Sequence, residues 1–261
     1  MRVLIRFYWA GMGVDYLDFI FEPDITGQYR VADWNSVAKG QMLSDFIRDT
    51  NQVLWPPSES GQTDLADTVG RVASLYLNGQ YAEAIDAMGD LPGVVQSSRT
   101  FLLMREQAAL AAGRKSDYDV MLNRLAEKYS SDPSMALQMV SYDIKENKFD
   151  AALGRMAVVE QSVGSDGVTN LMKANVADLS GAYDRALSFA SRAVEVEPDL
   201  RPAWDALAKE SVRLKSYSKA VATYQSMQSR FNLRYTRDIF VRDPDLAEFV
   251  QSAEFQKWLP Q

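Results

Sequence analysis

The sequence predicts a mainly α fold. It reads as an α-solenoid of about five helix-turn-helix units, with a small N-terminal antiparallel β meander before it and a C-terminal helical cap after it. Three observations predict this. A short phrase recurs, first as NGQYAEAI at Asn78–Ile85 and then as ENKFDAAL, LSGAYDRAL and LKSYSKAV. Its aromatics, Tyr81, Phe149, Tyr183 and Tyr217, lie 68, 34 and 34 residues apart, so the period is 34 with one copy skipped. The composition also changes along the chain: β-branched and aromatic residues lead at the start, and Ala, Leu, Met and charged residues take over from Leu65.

Residues 1–54 carry the strand pattern. VLIRFYW is followed by the turn signal AGMG, VDYLDFIFE by PDITGQ, and YRVADWNSV is the third strand of the meander. AKGQMLSDFIRDT ends the region as a strand or a short helix. Some fifty residues of meander hold little core of their own, so the sheet needs support from the helical body, a partner chain or residues upstream of Met1. Residues 55–64, WPPSESGQTD, cluster Pro, Ser and Gly and read as a linker.

From Leu65 the apolar spacing is helical. Five units are expected at 65–98, 99–132, 133–166, 167–200 and 201–234, with capping helices at 235–261. The residues two before each phrase centre are Gly79, Gly113, Asn147, Gly181 and Lys215. Gly and Asn accept the left-handed conformation that ends a helix. Three residues after the aromatic come Ala84, Ala152, Ala186 and Ala220, with Tyr118 the exception, and then Ile85, Leu153, Leu187 and Val221. Met88, Met156 and Met227 fall on the same stripe and are expected to fill core.

The period and these positions resemble the tetratricopeptide repeat (TPR), which implies that the α-solenoid is right-handed. The likeness is strongest in GAYDRALSFASRAVEVEPD, with Pro198 after the helix, and in AWDALAKESVRLKSYSKAVATYQSM, with Trp204, Leu207 and Ala208. The second unit departs most, placing Glu106, Lys115 and Tyr118 where small or apolar residues are usual. DPDLAEFVQSAEFQKWLPQ resembles tails that close such arrays, with Phe249, Phe255 and Trp258 facing inward. The strand order of residues 1–54 and VADW faintly resemble the terminal strands of an NTF2-like domain, which implies the remnant of a larger α+β domain.

Composition narrows the chemistry. Among 261 residues there is no Cys and no His, and the net charge is −7. That removes thiol and His-based catalysis, His or thiolate metal sites and disulfides. The charge argues against nucleic acid as a partner. No apolar run is long enough for a membrane span. No phosphate-binding loop occurs, and GMG at 11–13 reads as a hairpin turn. The carboxylate pairs Asp15 with Asp18 and Asp243 with Asp245 are better read as strand and cap residues than as catalysts. No cofactor and no metal are expected. The compartment is open: cytoplasmic as written, periplasmic if an upstream signal peptide was removed.

The resemblance implies that the first helix of each unit lines a concave groove. A first row is then Val69, Leu103, Leu137, Leu171 and Asp205, and a second is Ala73, Gln107, Ser141, Asn175 and Lys209. A third is Tyr76, Leu110, Ile144, Asp178 and Val212. Val69, Leu103, Gln107, Leu137, Ser141, Leu171, Asn175 and Lys209 are the candidate partner-binding residues. The paired lysines of a carboxylate clamp are missing beside Asn175 and Lys209. The leading reading is therefore a non-enzymatic scaffold for a protein or peptide segment with aliphatic anchors. One alternative is a self-assembling protein, a homo-oligomer joined through the N-terminal sheet edge. Another is a truncated enzyme or ligand-binding protein built on an NTF2-like domain.

Overall fold

A computed structural model describes residues 1–9, 13–45, 47–48 and 62–260. The chain divides into two units, Met1–Tyr142 and Asp143–Gln261. The first unit opens with strands β1 (Arg2–Trp9), β2 (Gly13–Pro23), β3 (Tyr29–Ser36) and β4 (Gln41–Met42), an antiparallel sheet in the order β1-β2-β3-β4. The meander thus has a fourth, two-residue strand beyond the three read from sequence. Residues 43–45 and 47–48, just after it, are helical. β1 pairs β2 from Arg2 opposite Ile20 to Trp9 opposite Gly13. Between β2 and β3 the register shifts at Ile20/Phe21, so Ala32 is an extra residue that bends the strand. Residues 11 and 12 of the GMG turn lie outside the described residues, as do 55–61 of the linker.

The second turn closes on one carboxylate. Asp24 accepts hydrogen bonds from the Thr26 backbone at 2.8 Å and its hydroxyl at 2.6 Å, the Gln28 backbone at 3.1 Å and Arg30 Nε at 2.7 Å. Gly27, at φ +82°, supplies the left-handed residue. The hydrogen bonds from Thr26 and then Arg30 hold the Asp24 carboxyl down at about 2.

The sheet is supported at its far corner by helices of its own unit. Asp15 accepts from Ser36 Oγ at 2.8 Å and the Ala38 amide at 2.9 Å, which fixes the β3–β4 turn. Gly40 in that turn has φ +59°, and a Cβ there would overlap the Ser134 carbonyl. Thr100 Oγ1 donates to Gln41 Oε1 at 3.3 Å, and Gln138 Nε2 donates to the Ala38 carbonyl. A meander with little core of its own is thereby fastened to Thr100 and Gln138 of its own unit.

The helical part is a series of hairpins. The first pairs α1 (Gln62–Leu77) with α2 (Tyr81–Met88), and a four-residue turn, α3 (Gly93–Gln96), follows. Gly89 and Pro92 cut α2 short. The second pairs α4 (Arg99–Ala111) with α5 (Lys115–Tyr129), and α6 (Ala136–Lys145), the turn at Asn147 and α7 (Phe149–Val163) come third in the series. The fourth pairs α8 (Gly167–Leu179) with α9 (Tyr183–Val196), and the fifth pairs α10 (Arg201–Arg213) with α11 (Tyr217–Phe231). α1 starts at Gln62, so 62–64, read as the end of the linker, are helical.

All five joints share one backbone form. The turn residues Gly79, Gly113, Asn147, Gly181 and Lys215 all have positive φ, from +56° to +77°. In each, the amide after the turn residue reaches back five positions, as in Gln80 to Leu75 at 2.9 Å and Ser216 to Ser211 at 2.8 Å. The turn residue's own amide reaches back three, as in Gly181 to Asp178 at 2.9 Å. This C-terminal cap satisfies carbonyls that the ending helix leaves open. The alanines Ala84, Ala152, Ala186 and Ala220 are fully buried, and Met88, Met156 and Met227 are core.

The second unit ends in α12 (Arg237–Val241), a 3₁₀ turn at Pro244–Leu246, α13 (Ala247–Gln251) and α14 (Ala253–Trp258). Phe240, Phe249 and Phe255 are buried with Ala220. Trp258 stacks on Tyr224 with centroids 5.7 Å apart. Asp243 caps the 3₁₀ turn by accepting from the Asp245 amide at 3.0 Å. These segments cover the apolar side of α11.

Candidate functional site

The three first-helix rows differ in what they leave accessible. In the first unit, Val69 on α1 is half-buried against Val72, Met88, Leu91 and Phe101. Leu103 on α4 is buried with Leu102, Met121, Leu125, Met135 and Met139, and Leu137 on α6 is buried too. In the second unit, Leu171 on α8 is buried and Asp205 on α10 is exposed. The apolar members of this row are therefore committed to packing between helices. Their chemistry reads the same for a core as for a groove floor, which is why sequence placed them at a surface.

The second row is more polar and more open. Gln107 is half-buried, and its Oε1 accepts from the Tyr76 hydroxyl at 3.0 Å. Ser141 is half-buried and hydrogen-bonded with Tyr118. In the second unit, Asn175 and Lys209 are exposed. Lys209 Nζ lies 2.6 Å from Asp178 Oδ2, and Arg213 holds the other oxygen of that carboxylate. Burial pushes the Asp178 carboxyl up, but hydrogen bonds from Lys209 and Arg213 outweigh it and leave its pKa lowered. Arg213 also lies over the Tyr183 ring, 4.5 Å from its centroid. Asn175 and Lys209 thus share a face with a satisfied ion network.

Sequence reasoning passed over two leucines at the ends of first helices. Leu77 on α1 and Leu179 on α8, each two residues before the turn glycine, are 84% and 59% exposed, and the third-row Leu110 on α4 is 62% exposed. The signal was available: an aliphatic in the last turn before a left-handed glycine lies beyond the stripe that packs the hairpin. Each unit therefore presents exposed leucine beside an amide side chain, Gln107 in the first and Asn175 in the second.

Other polar clusters have structural partners. Asp18 pairs with Arg2 at 3.1 Å, and Asp15 and Asp243 hold turns as described. Glu106, buried on α4, is pushed up by burial to about 7, and its charge is felt at Tyr76 and Tyr118. Among the described residues, no group of three or more carboxylates could hold a metal ion. Among them, too, no helix is long and apolar enough to cross a membrane.

No protein-family model and no curated protein matches the chain. Solved structures do. PilW, a widely conserved type IV pilus biogenesis factor, aligns with TM-score 0.55 at 12% identity, covering 76% of this chain and 91% of its own. An ArsTM double mutant of MamA RS-1 aligns with TM-score 0.54 at 11% identity, covering 64% and 94%. A tetratricopeptide repeat protein from Parabacteroides merdae aligns with TM-score 0.52 at 10% identity, covering 83% and 82%.

Proposed function

We propose that this chain, an α-solenoid of the tetratricopeptide type, is a non-enzymatic scaffold that binds a protein segment on the first-helix face of its hairpins. The observation that carries the reading is the exposed leucine beside an amide, Leu110 with Gln107 and Leu179 with Asn175. Exposed aliphatics suit aliphatic anchors of a helical or extended segment, and amides suit its backbone. The buried Leu103, Leu137 and Leu171 shape that face from beneath. Substituting them would disturb folding before binding, so the test belongs to the exposed residues.

The experiment selects binding peptides from a random library displayed on phage. It then measures their affinity for the wild type and for the Leu110→Asp and Leu179→Asp variants, with circular dichroism to confirm folding. Selected peptides should be rich in aliphatic residues and should lose about tenfold affinity, roughly 1.4 kcal/mol, for at least one variant. Equal affinity for the wild type and both folded variants rejects this face as the site.

A further inference from the structure

Among the described residues, the first strand of the sheet has one strand partner: β1 pairs with β2 and stands at the end of the sheet order. The Met1 and Phe21 backbones exchange both hydrogen bonds, at 2.8 and 2.9 Å. In an antiparallel ladder such pairs alternate, so the odd residues Val3, Ile5, Phe7 and Trp9 also bond inward to β2. The amides and carbonyls of Arg2, Leu4, Arg6 and Tyr8 therefore point outward. The strand has no proline and no bulge. Its side chains are exposed on both faces: Leu4 and Ile5 are each 41% exposed and Phe7 38%. These are the features that edge strands normally avoid when they stay single.

We propose that β1 is a homodimer interface, in which two copies pair their first strands antiparallel about a two-fold axis at Ile5. Outward-facing residues must oppose outward-facing residues, which limits the registers. Placing Leu4 opposite its own copy sets Arg2 against Arg6, and placing Arg6 opposite its own copy sets two guanidiniums face to face. Like charges directly opposite are destabilising. The register centred on Ile5 avoids both and pairs all seven residues from Arg2 to Tyr8. It sets Arg2 against Tyr8, Val3 against Phe7, Leu4 against Arg6, and Ile5 against Ile5. The result is one continuous eight-stranded sheet. The inference goes beyond the scaffold reading and stands on the sheet alone, so it survives a failure of peptide binding.

The chain contains no cysteine, which makes the register directly testable. Residues facing each other without ladder bonds have Cα atoms about 4.5 Å apart, within the range a disulfide spans. Under mild oxidation Ile5→Cys should form a covalent dimer. Val3→Cys and Phe7→Cys should each stay monomeric alone and cross-link when mixed. Leu4→Pro removes an outward amide and leaves the β1–β2 ladder whole. It should abolish the concentration-dependent dimer seen by sedimentation velocity while the circular dichroism spectrum is retained. A wild-type chain that sediments as a monomer at every concentration overturns the proposal. So does self-cross-linking by Val3→Cys in place of Ile5→Cys.

Discussion

The second and fourth hairpins have the same joint and different interiors. Both turn at a left-handed glycine, Gly113 or Gly181, with the same pair of backward hydrogen bonds. Seven positions before that glycine the fourth hairpin has buried Ala174, and the second has buried Glu106. Five positions after it the fourth has fully buried Ala186, and the second has half-buried Tyr118. Two small residues have become two large polar ones, and the hairpin still closes. The backbone cap is thus the fixed requirement of the repeat, while the volume between its helices is adjustable when neighbours change together.

Moving one residue without its neighbours should break this equivalence. Ala186→Tyr puts the second hairpin's side chain into the fourth, where Ala174, not Glu106, lies opposite in the repeat. Overpacking there should cost about 3 kcal/mol, read from urea unfolding at neutral pH. A cost near zero would mean that the fourth hairpin has slack of its own.

Glu106→Gln sharpens the comparison from the other side. Burial raises the Glu106 carboxyl to about 7 in the folded chain, above its ordinary value. The folded state then holds a proton that the unfolded state releases, so this group's contribution falls as pH rises from about 4.5 to 7. The variant should be more stable than wild type by about 2 to 3 kcal/mol at pH 8 and equal to it at pH 4. Denaturation curves at the two pH values decide this, and a gain that does not vary with pH refutes the assignment.

The joint itself gives the smallest effects. Gly181→Ala puts a Cβ at φ +77° and should destabilise by about 1 kcal/mol. Lys215→Gly, at φ +56°, relieves the same strain and should stabilise by about 0.5 to 1 kcal/mol. Thermal melts of the pair should move in opposite directions.

The fold was legible in sequence wherever the backbone constrains residue choice. A left-handed turn every 34 residues selects Gly or Asn at four of five joints, and only Lys215 breaks the rule. The alanine stripe was legible because close helix approach excludes larger side chains. β4 was not, because a two-residue strand has no period. The site was the least legible part. Leu103, Leu137 and Leu171 carry the apolar signature of either a groove or a core, and only three-dimensional packing assigns them. Leu77 and Leu179 were visible as letters, but their exposure depends on the turn that follows them.

The Gly40 corner sets an order of events in folding. The bonds that close each hairpin joint span three or five residues, but Thr100 and Gln41 are separated by 59 and Gln138 and Ala38 by 100. Local turns form quickly, and long loops close late because their entropy is lost before their contacts form. Hairpins should therefore assemble before the sheet corner docks. In pulsed hydrogen exchange during refolding, the amides of α4 and α5 should gain protection ahead of the Ala38 amide, whose acceptor Asp15 lies 23 residues away. A chain arrested before that step would have its helices built and its first strands unanchored.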